Sequence, residues 1–132
     1  DLWDNPRATD ADRAFASDIL GYRWRTGQAS VTGEVYEVSS RFKAFRKGTY
    51  RFNNELNEEC YVVESPDSFY PSDPERGSTI MRYGENNLIA GTAYDTGAYR
   101  TVVLGFPFEA ISGSDRRSQL MRQVLEFLSK SK

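Results

Sequence analysis

The sequence predicts an α/β domain, with α+β as the alternative. The expected core is a mixed, largely antiparallel twisted sheet of about six or seven strands, with an N-terminal and a C-terminal helix. Three observations predict this: short apolar runs alternate with turn residues, a helical pattern stands near each end, and an apolar strand passes through Gly105 and Pro107 into the last helix. With 132 residues, of which 39% are hydrophobic, the chain can bury one core. We therefore expect a single domain over 1–132.

The first helix is predicted over about 10–20. Thr9 is a suitable N-cap, and Asp12 stands three residues later, as in a capping box. An apolar stripe follows at helical spacing, made of Phe15, Ala16, Ile19 and Leu20. Gly21 then ends the helix, since glycine readily adopts the left-handed conformation that follows a C-cap.

Three strands are predicted in the next part of the chain. Alternating apolar and basic residues indicate a half-buried strand over 22–26, and valines indicate a second over 31–38. A short third strand is predicted over 49–52. The segment between the second and third strands is expected to turn two rings inward, Phe42 and Phe45.

The middle of the chain alternates between polar and apolar stretches. We predict an exposed loop over 53–59, a strand over 60–64, a turn over 65–68 and a Pro-rich surface loop over 70–77.

Three further strands and a helix complete the prediction. Strands over 78–83 and 88–94 form a pair, and a hairpin turn over 95–98 leads to a strand over 99–106. The last helix begins near Ser112 or Ser114. Its predicted apolar face contains Leu120, Met121, Val124, Leu125 and Leu128.

Charge and hydropathy exclude two partner classes. The chain has 17 basic and 19 acidic residues, so we expect no basic field that would hold nucleic acid. No apolar run reaches membrane-spanning length, so we expect no membrane partner. The first residue is Asp1 rather than Met, which predicts a processed chain or a piece of a larger protein.

The absence of histidine restricts the possible chemistry. Serine and cysteine nucleophiles usually need a histidine base, and zinc sites usually use histidine or several cysteines, but this chain has one cysteine, Cys60. Because Cys60 begins an apolar run, we expect it to be a small core residue. No glycine-rich phosphate loop occurs. We therefore predict neither a metal nor a cofactor.

One carboxylate has a position that suits a ligand or a reaction. Glu109 follows the apolar strand at its C-terminal end, where ligands collect in open α/β sheets. Asp67 and Asp95 lie in other turns that could converge on it and form a carboxylate pair for acid–base work on a glycosidic bond. The alternative is that Glu109 accepts hydrogen bonds from backbone amides or pairs with an arginine such as Arg82.

A sugar-binding role for aromatic rings is a further alternative. Rings with an exposed face could stack on sugars, but alternation within strands mostly favours core packing. The residues considered are Trp3, Trp24, Tyr50, Phe69, Tyr70 and Tyr83.

Three segments carry a family resemblance. They are 57–67, 82–87 and 103–109 with the helix that follows. The chain, most strongly over 57–128, resembles the C-terminal part of a flavodoxin-like, class I glutamine-amidotransferase-like domain. Such domains occur in large secreted bacterial proteins that are often labelled xanthan lyases.

The resemblance implies an exported protein and a function. Amidotransferases of this class use a Cys-His-Glu triad, and neither its histidine nor its elbow cysteine has a counterpart here. We therefore expect a non-catalytic module of a secreted multidomain protein. One alternative is a polysaccharide lyase or hydrolase with Glu109 as acid or base and with Arg82 and Asp67 as supporting groups. Another is a carbohydrate-binding module.

The resemblance also implies a prediction about assembly. In the family, the other half of the sheet would precede Asp1, which would leave strand edges and apolar helix faces uncovered here. Such surfaces normally associate. We expect a homodimer or association with the missing N-terminal segment, and polysaccharide as the possible ligand.

Overall fold

Seven strands form two antiparallel sheets in the computed structural model, which describes residues 2–3 and 5–129. The larger sheet has the order β3-β2-β5-β6-β7, and β1 pairs with β4 in the smaller one. The strands are β1 (Tyr22–Thr26), β2 (Glu34–Glu37), β3 (Thr49–Arg51), β4 (Ser68–Pro71), β5 (Gly77–Tyr83), β6 (Ile89–Asp95) and β7 (Arg100–Leu104). Helices stand before the first strand and after the last, so the predicted mixed, antiparallel class is confirmed.

The N-terminal helix has the predicted bounds. It runs as α1 (Asp10–Ala14) and continues as π-helical turns over Phe15–Leu20. Thr9 and Asp12 form the predicted capping box, with the Asp12 amide 3.2 Å from Thr9 Oγ1 and the Thr9 amide 2.8 Å from Asp12 Oδ2. Gly21 ends the helix with φ +85°, and a Cβ there would lie 2.4 Å from the Tyr94 ring.

The smaller sheet corrects the prediction for 65–77. Ser68–Pro71 is a strand rather than the end of a turn and the start of a loop, and it pairs with β1 from Thr26 to Tyr22, with a register shift between Thr26 and Trp24. Ser68 and Phe69 are buried, whereas Pro71 stands at the end of the strand, where a missing N–H is tolerated. The proline-rich composition concealed this short strand.

The predicted strand over 60–64 is wrong. Its backbone groups are bonded by side chains: Asn53 Nδ2 donates to the carbonyl oxygens of Cys60 and Tyr61 at 3.0 and 2.9 Å, and Asn57 Oδ1 accepts from the Cys60 amide at 3.0 Å. Local bonds of this kind compete with a strand ladder. The segment is therefore an ordered loop without regular structure.

The C-terminal helix, α2 (Ser114–Ser129), begins at one of the two predicted residues. Its buried side chains are Leu120, Gln123 and Phe127. Leu125 and Leu128, which were predicted on the buried face, are 56% and 44% exposed. The buried stripe is therefore rotated from the predicted one, because a polar side chain, Gln123, lies at its centre.

Each end of the larger sheet gathers a different set of connections. Because all neighbouring strands are antiparallel, segments 27–33, 52–67, 84–88 and 105–113 meet at one end. Segments 38–48, 72–76 and 96–99 meet at the other end. A core of aromatic and aliphatic side chains, including Phe52, Tyr83 and Leu120, lies between the sheet and α2. Among the described helices, none is long and apolar enough to cross a membrane.

Candidate functional site

A polar cleft of about 700 Å³ opens between the loop that follows β3 and the start of α2. It lies at the sheet end where β7 also finishes, which is the position that the sequence predicts for a ligand. Its lining consists of Asn53, Asn57, Glu59, Cys60, Ser114, Arg117 and the segment 109–113. Of the predicted site residues, Glu109 lines this cleft.

Glu109 is an exposed carboxylate in a short 3₁₀ turn, Phe108–Ala110. Its own backbone N–H, and then the Tyr61 hydroxyl that donates to Oε1 at 2.8 Å, hold the pKa of Glu109 below its ordinary value. The described side-chain hydrogen-bond donor to the carboxylate is thus Tyr61, and Arg82 donates instead to the Asn87 carbonyl oxygen. The carboxylate is therefore ionised near neutral pH and can accept hydrogen bonds.

Two asparagines fix one wall of the cleft, the segment 53–59, for which the sequence predicts only an exposed loop. Asn53 is 9% exposed, and its side chain holds the carbonyl groups of Cys60 and Tyr61. Asn57 Nδ2 donates to Asn53 Oδ1 at 2.7 Å and so links the start of the loop to its middle. The signal in the sequence is the spacing of four residues between asparagines in a polar run, a pattern that suits local side-chain bonding.

The opposite wall is the beginning of α2. Gly113 has φ +88°, and the Arg117 amide donates to its carbonyl oxygen at 3.1 Å. Arg117 Nη1 also donates to the Ile111 carbonyl oxygen at 2.6 Å, which places the guanidinium at the cleft. This wall therefore offers one cation, which faces the carboxylates of Glu59 and Glu109.

Cys60 lies at the edge of the cleft, partly buried against the hydrophobic core. The prediction of a small residue packed on the core is confirmed, although it does not lie in a strand. The chain has no histidine that could accept a proton from this thiol. In the described part of the chain, no group of three His, Cys, Asp or Glu side chains is placed to hold a metal ion.

Arg82 and Asp67 do not line the cleft. Arg82 lies on β5 opposite Tyr36, and its Nη1 donates to the Asn87 carbonyl oxygen at 2.7 Å in the β5–β6 turn. Asp67 accepts a hydrogen bond from Trp24 Nε1 at 3.3 Å. The contacts described for these two side chains are thus with structural neighbours rather than with Glu109.

Asp95 stands at the other end of the sheet from Glu109. It ends β6 and accepts from Arg100 Nε at 3.0 Å in a half-buried ion pair. The antiparallel register places this turn a full strand length from the cleft. Convergence of Asp95 on Glu109 is therefore wrong.

A second cleft, of about 550 Å³, meets the first at Ser112. It is lined by residues of β2 and β3 and by Arg116, whose guanidinium lies 4.7 Å from the centre of the Tyr50 ring. Of the aromatic residues considered for sugar binding, Tyr50, Phe69 and Tyr83 are buried in the interior. An exposed ring that contacts a cleft residue is Tyr61, whose hydroxyl donates to Glu109; it does not itself line the cleft and was not among the residues considered.

Comparisons of the chain with protein-family models, curated proteins and solved structures found no match in any of the three. The resemblance to amidotransferase-like domains therefore stays a prediction. The described strand pairs are antiparallel, whereas flavodoxin-like domains have a parallel sheet, so the pairing lends that resemblance no support.

Proposed function

We propose that this chain is a non-catalytic, amidotransferase-like module of a secreted multidomain protein, and that it acts by binding. The state of Glu109 carries this proposal. Its carboxylate is exposed and accepts a hydrogen bond from Tyr61, and its pKa is lowered, so it has no proton to donate as an acid near neutral pH and is a weak base.

The environment of Glu109 disfavours glycosidic acid catalysis in particular. Glycosidases raise the pKa of the acid by burial or by a close second carboxylate. Glu109 has the opposite shift, and the other carboxylate of the cleft, Glu59, is also exposed. Water therefore remains in contact with both groups and weakens their influence on each other.

The environment of Cys60 disfavours nucleophilic catalysis. A cysteine nucleophile usually needs a base that takes its proton, most often histidine. Cys60 is partly buried against the hydrophobic core. The chain has no imidazole to complete a cysteine–histidine pair.

Carbohydrate binding is the second candidate, because of Tyr61. Its ring is 52% exposed, and its hydroxyl contacts Glu109 at the border of the cleft. A flat ring with a neighbouring carboxylate suits a sugar, whose faces stack and whose hydroxyls donate. Two carboxylates against Arg117 favour a neutral polysaccharide over a strongly acidic one.

The non-catalytic proposal is tested by direct assays. The chain would be incubated with glutamine, with ammonia release as the signal, and with xanthan and neutral polysaccharides, with new reducing ends and unsaturated sugars as the signals. We expect no turnover by the native chain or by its Glu109→Gln and Cys60→Ser variants. Turnover that the native chain shows and Glu109→Gln loses, with its fold intact, would contradict the proposal.

The carbohydrate-binding candidate needs a separate measurement. Oligosaccharides of neutral and acidic classes would be titrated into the labelled chain, with backbone NMR shifts as the signal. We expect shifts at 57–61 and 109–114 that Tyr61→Ala abolishes. Tyr70→Ala is the matched control, since this ring is 43% exposed and belongs to β4 of the smaller sheet, whereas Tyr61 contacts Glu109. No response across the panel would remove this candidate.

A further inference from the structure

One connection of the larger sheet is strongly basic. The loop over 38–48, here called the basic loop, has four cationic side chains and no acidic one: Arg41, Lys43, Arg46 and Lys47. All four are exposed. In the described residues, the loop makes one ion pair, between Arg46 and Glu126 at 3.6 Å, and both of these side chains are substantially exposed. Most of its charge therefore faces solvent.

The other end of the sheet has the opposite composition. Segments 27–33, 52–67, 84–88 and 105–113, together called the acidic end, contain seven carboxylates and no lysine or arginine. Four of the carboxylates are exposed, and within residues 2–3 and 5–129 they make no described hydrogen bond or ion pair: Glu55, Glu58, Glu59 and Glu64. The segments of the acidic end thus carry no cation of their own, and the neighbouring wall of the cleft adds one, Arg117.

The two charged surfaces cannot neutralise each other within one molecule. They stand at opposite ends of antiparallel strands, and β5 alone has seven residues, which span roughly 20 Å. That separation is about twice the Debye length at physiological ionic strength, so the attraction between the two surfaces of one molecule is largely screened. Opposite charges on opposite ends can meet only between molecules.

The acidic end also exposes apolar side chains. Leu56 is 92% exposed and Val31 is 79% exposed, and Asn54 connects their loops by donating to the Val31 carbonyl oxygen at 3.0 Å. In the basic loop, the Phe42 ring is partly buried against the hydrophobic core, and the Arg41 guanidinium lies 5.1 Å from its centre. The acidic end thus combines charge with exposed apolar area, as protein interfaces do, whereas the basic loop offers chiefly charge.

We propose that the basic loop of one copy docks on the acidic end of a second copy. The proposal goes beyond the binding function above and does not depend on it. The two surfaces differ, so the contact is head-to-tail, and repetition of it builds a ring or an open chain of copies. Association through opposite charges weakens as salt screens them.

The test uses two charge-reversed variants. Lys43→Glu with Lys47→Glu cancels the net charge of the basic loop, from +4 to 0, without touching its ion pair, and Glu55→Lys with Glu58→Lys reverses two charges of the acidic end. Sedimentation equilibrium would be measured for each chain at about 0.01 M and about 1 M ionic strength. Arg7→Glu with Arg23→Glu is the matched control, since both positions are exposed and lie outside the two surfaces.

The expected pattern has four parts. The native chain and the control associate at low salt and dissociate at high salt. Each charge-reversed variant alone has a dissociation constant raised on the order of tenfold or more. An equimolar mixture of the two variants forms a heterodimer and nothing larger, because each contributes one intact surface.

Three results would overturn the proposal. The native chain stays monomeric at low salt and high concentration, both variants associate as well as the native chain does, or the mixture forms no heterodimer. A native chain that stays monomeric yet binds a lysine-rich peptide would assign the acidic end to a foreign basic partner instead. Circular dichroism of each variant verifies its fold.

Discussion

Carboxylates at the two ends of the larger sheet have pKa shifts of opposite direction. At the acidic end, Glu85 and Glu109 lie on the surface and accept hydrogen bonds that lower their pKa, chiefly from Ser30 and from the amide of Glu109 itself. At the other end, Glu37 is 3% exposed, and burial raises its pKa although hydrogen bonds oppose the shift. Hydrogen bonding therefore dominates the pKa shifts of the exposed carboxylates, and burial dominates the shift of the buried one.

The surroundings of Glu37 explain why it is tolerated. Its Oε1 accepts from the Gly48 amide at 3.1 Å and from the Tyr50 hydroxyl at 3.0 Å. With its amide turned toward the carboxylate, Gln123 donates to the same oxygen at 3.1 Å. These neutral donors satisfy a buried group that has no described salt bridge.

The loops at the acidic end are held differently. Glu85 accepts from Ser30 Oγ at 2.5 Å and from the amides of Val31 and Thr32 at 2.8 and 3.0 Å, so an exposed side chain fixes the turn. The basic loop is instead attached to the buried carboxylate through Gly48. We therefore expect single substitutions to affect the two ends through different mechanisms.

The largest effect is expected at the acidic end, from Gly105→Ala. A Cβ at Gly105 would lie 2.0 Å from the Asp67 carbonyl oxygen and 2.8 Å from the Tyr83 hydroxyl, so the backbone must separate. We expect a loss of about 3 to 5 kcal/mol in the free energy of unfolding, measured by urea denaturation. Gly27→Ala is the control, since its nearest neighbour atom would be 3.5 Å away. Equal stabilities would show that the contact is not tight.

A smaller loss is expected at the opposite end, from Glu37→Ala. The substitution leaves three buried donors without their acceptor, from Gly48, Tyr50 and Gln123. We expect a loss of about 2 to 3 kcal/mol by the same measurement. Glu37→Gln retains an acceptor oxygen and removes the charge, so it should be better tolerated. An alanine variant as stable as the glutamine variant would disprove the role of these bonds.

The smallest expected effects are on the pH dependence of stability, which should differ in sign between Glu37 and Glu85. The folded pKa of Glu37 is raised above 4.5, so its stabilising contribution is present below that pH and is lost as pH rises through the folded value. The pKa of Glu85 is lowered from 4.5, so its contribution is present above that pH and is lost as pH falls through the folded value. We therefore expect Glu37→Gln to gain stability relative to the native chain as pH rises above 4.5, when unfolding is measured across pH. For Glu85→Gln we expect a deficit that shrinks below pH 4.5. A common sign for both variants would refute the contrast.

Much of the fold follows from local sequence signals. The capping box at Thr9, the glycine at 21 and the paired strands β5 and β6 each depend on neighbouring residues, and each was predicted. The missed strand β4 depends instead on its distant partner β1 and on burial of Phe69. The false strand over 60–64 has the composition of a strand, but the side chain of Asn53 binds its backbone.

The cleft could be predicted only in part. The position of Glu109 after an apolar strand is visible in the sequence and is correct. Its partner Tyr61 lies 48 residues away, and nothing in the local pattern relates the two. Likewise, the separation of basic and acidic loops is visible in composition, but their placement at opposite ends requires the strand pairing.

The hydrogen bond between Gln123 and Glu37 has a consequence for the orientation of α2 on the sheet. Leucine and phenylalanine contacts tolerate a helix that rolls or slides, since apolar surfaces are nearly interchangeable. An amide that must meet one carboxylate selects a single angle of roll. We therefore expect that replacing both residues with apolar ones of similar volume raises the stability of the protein. In that variant α2 would no longer have a single preferred orientation on the sheet.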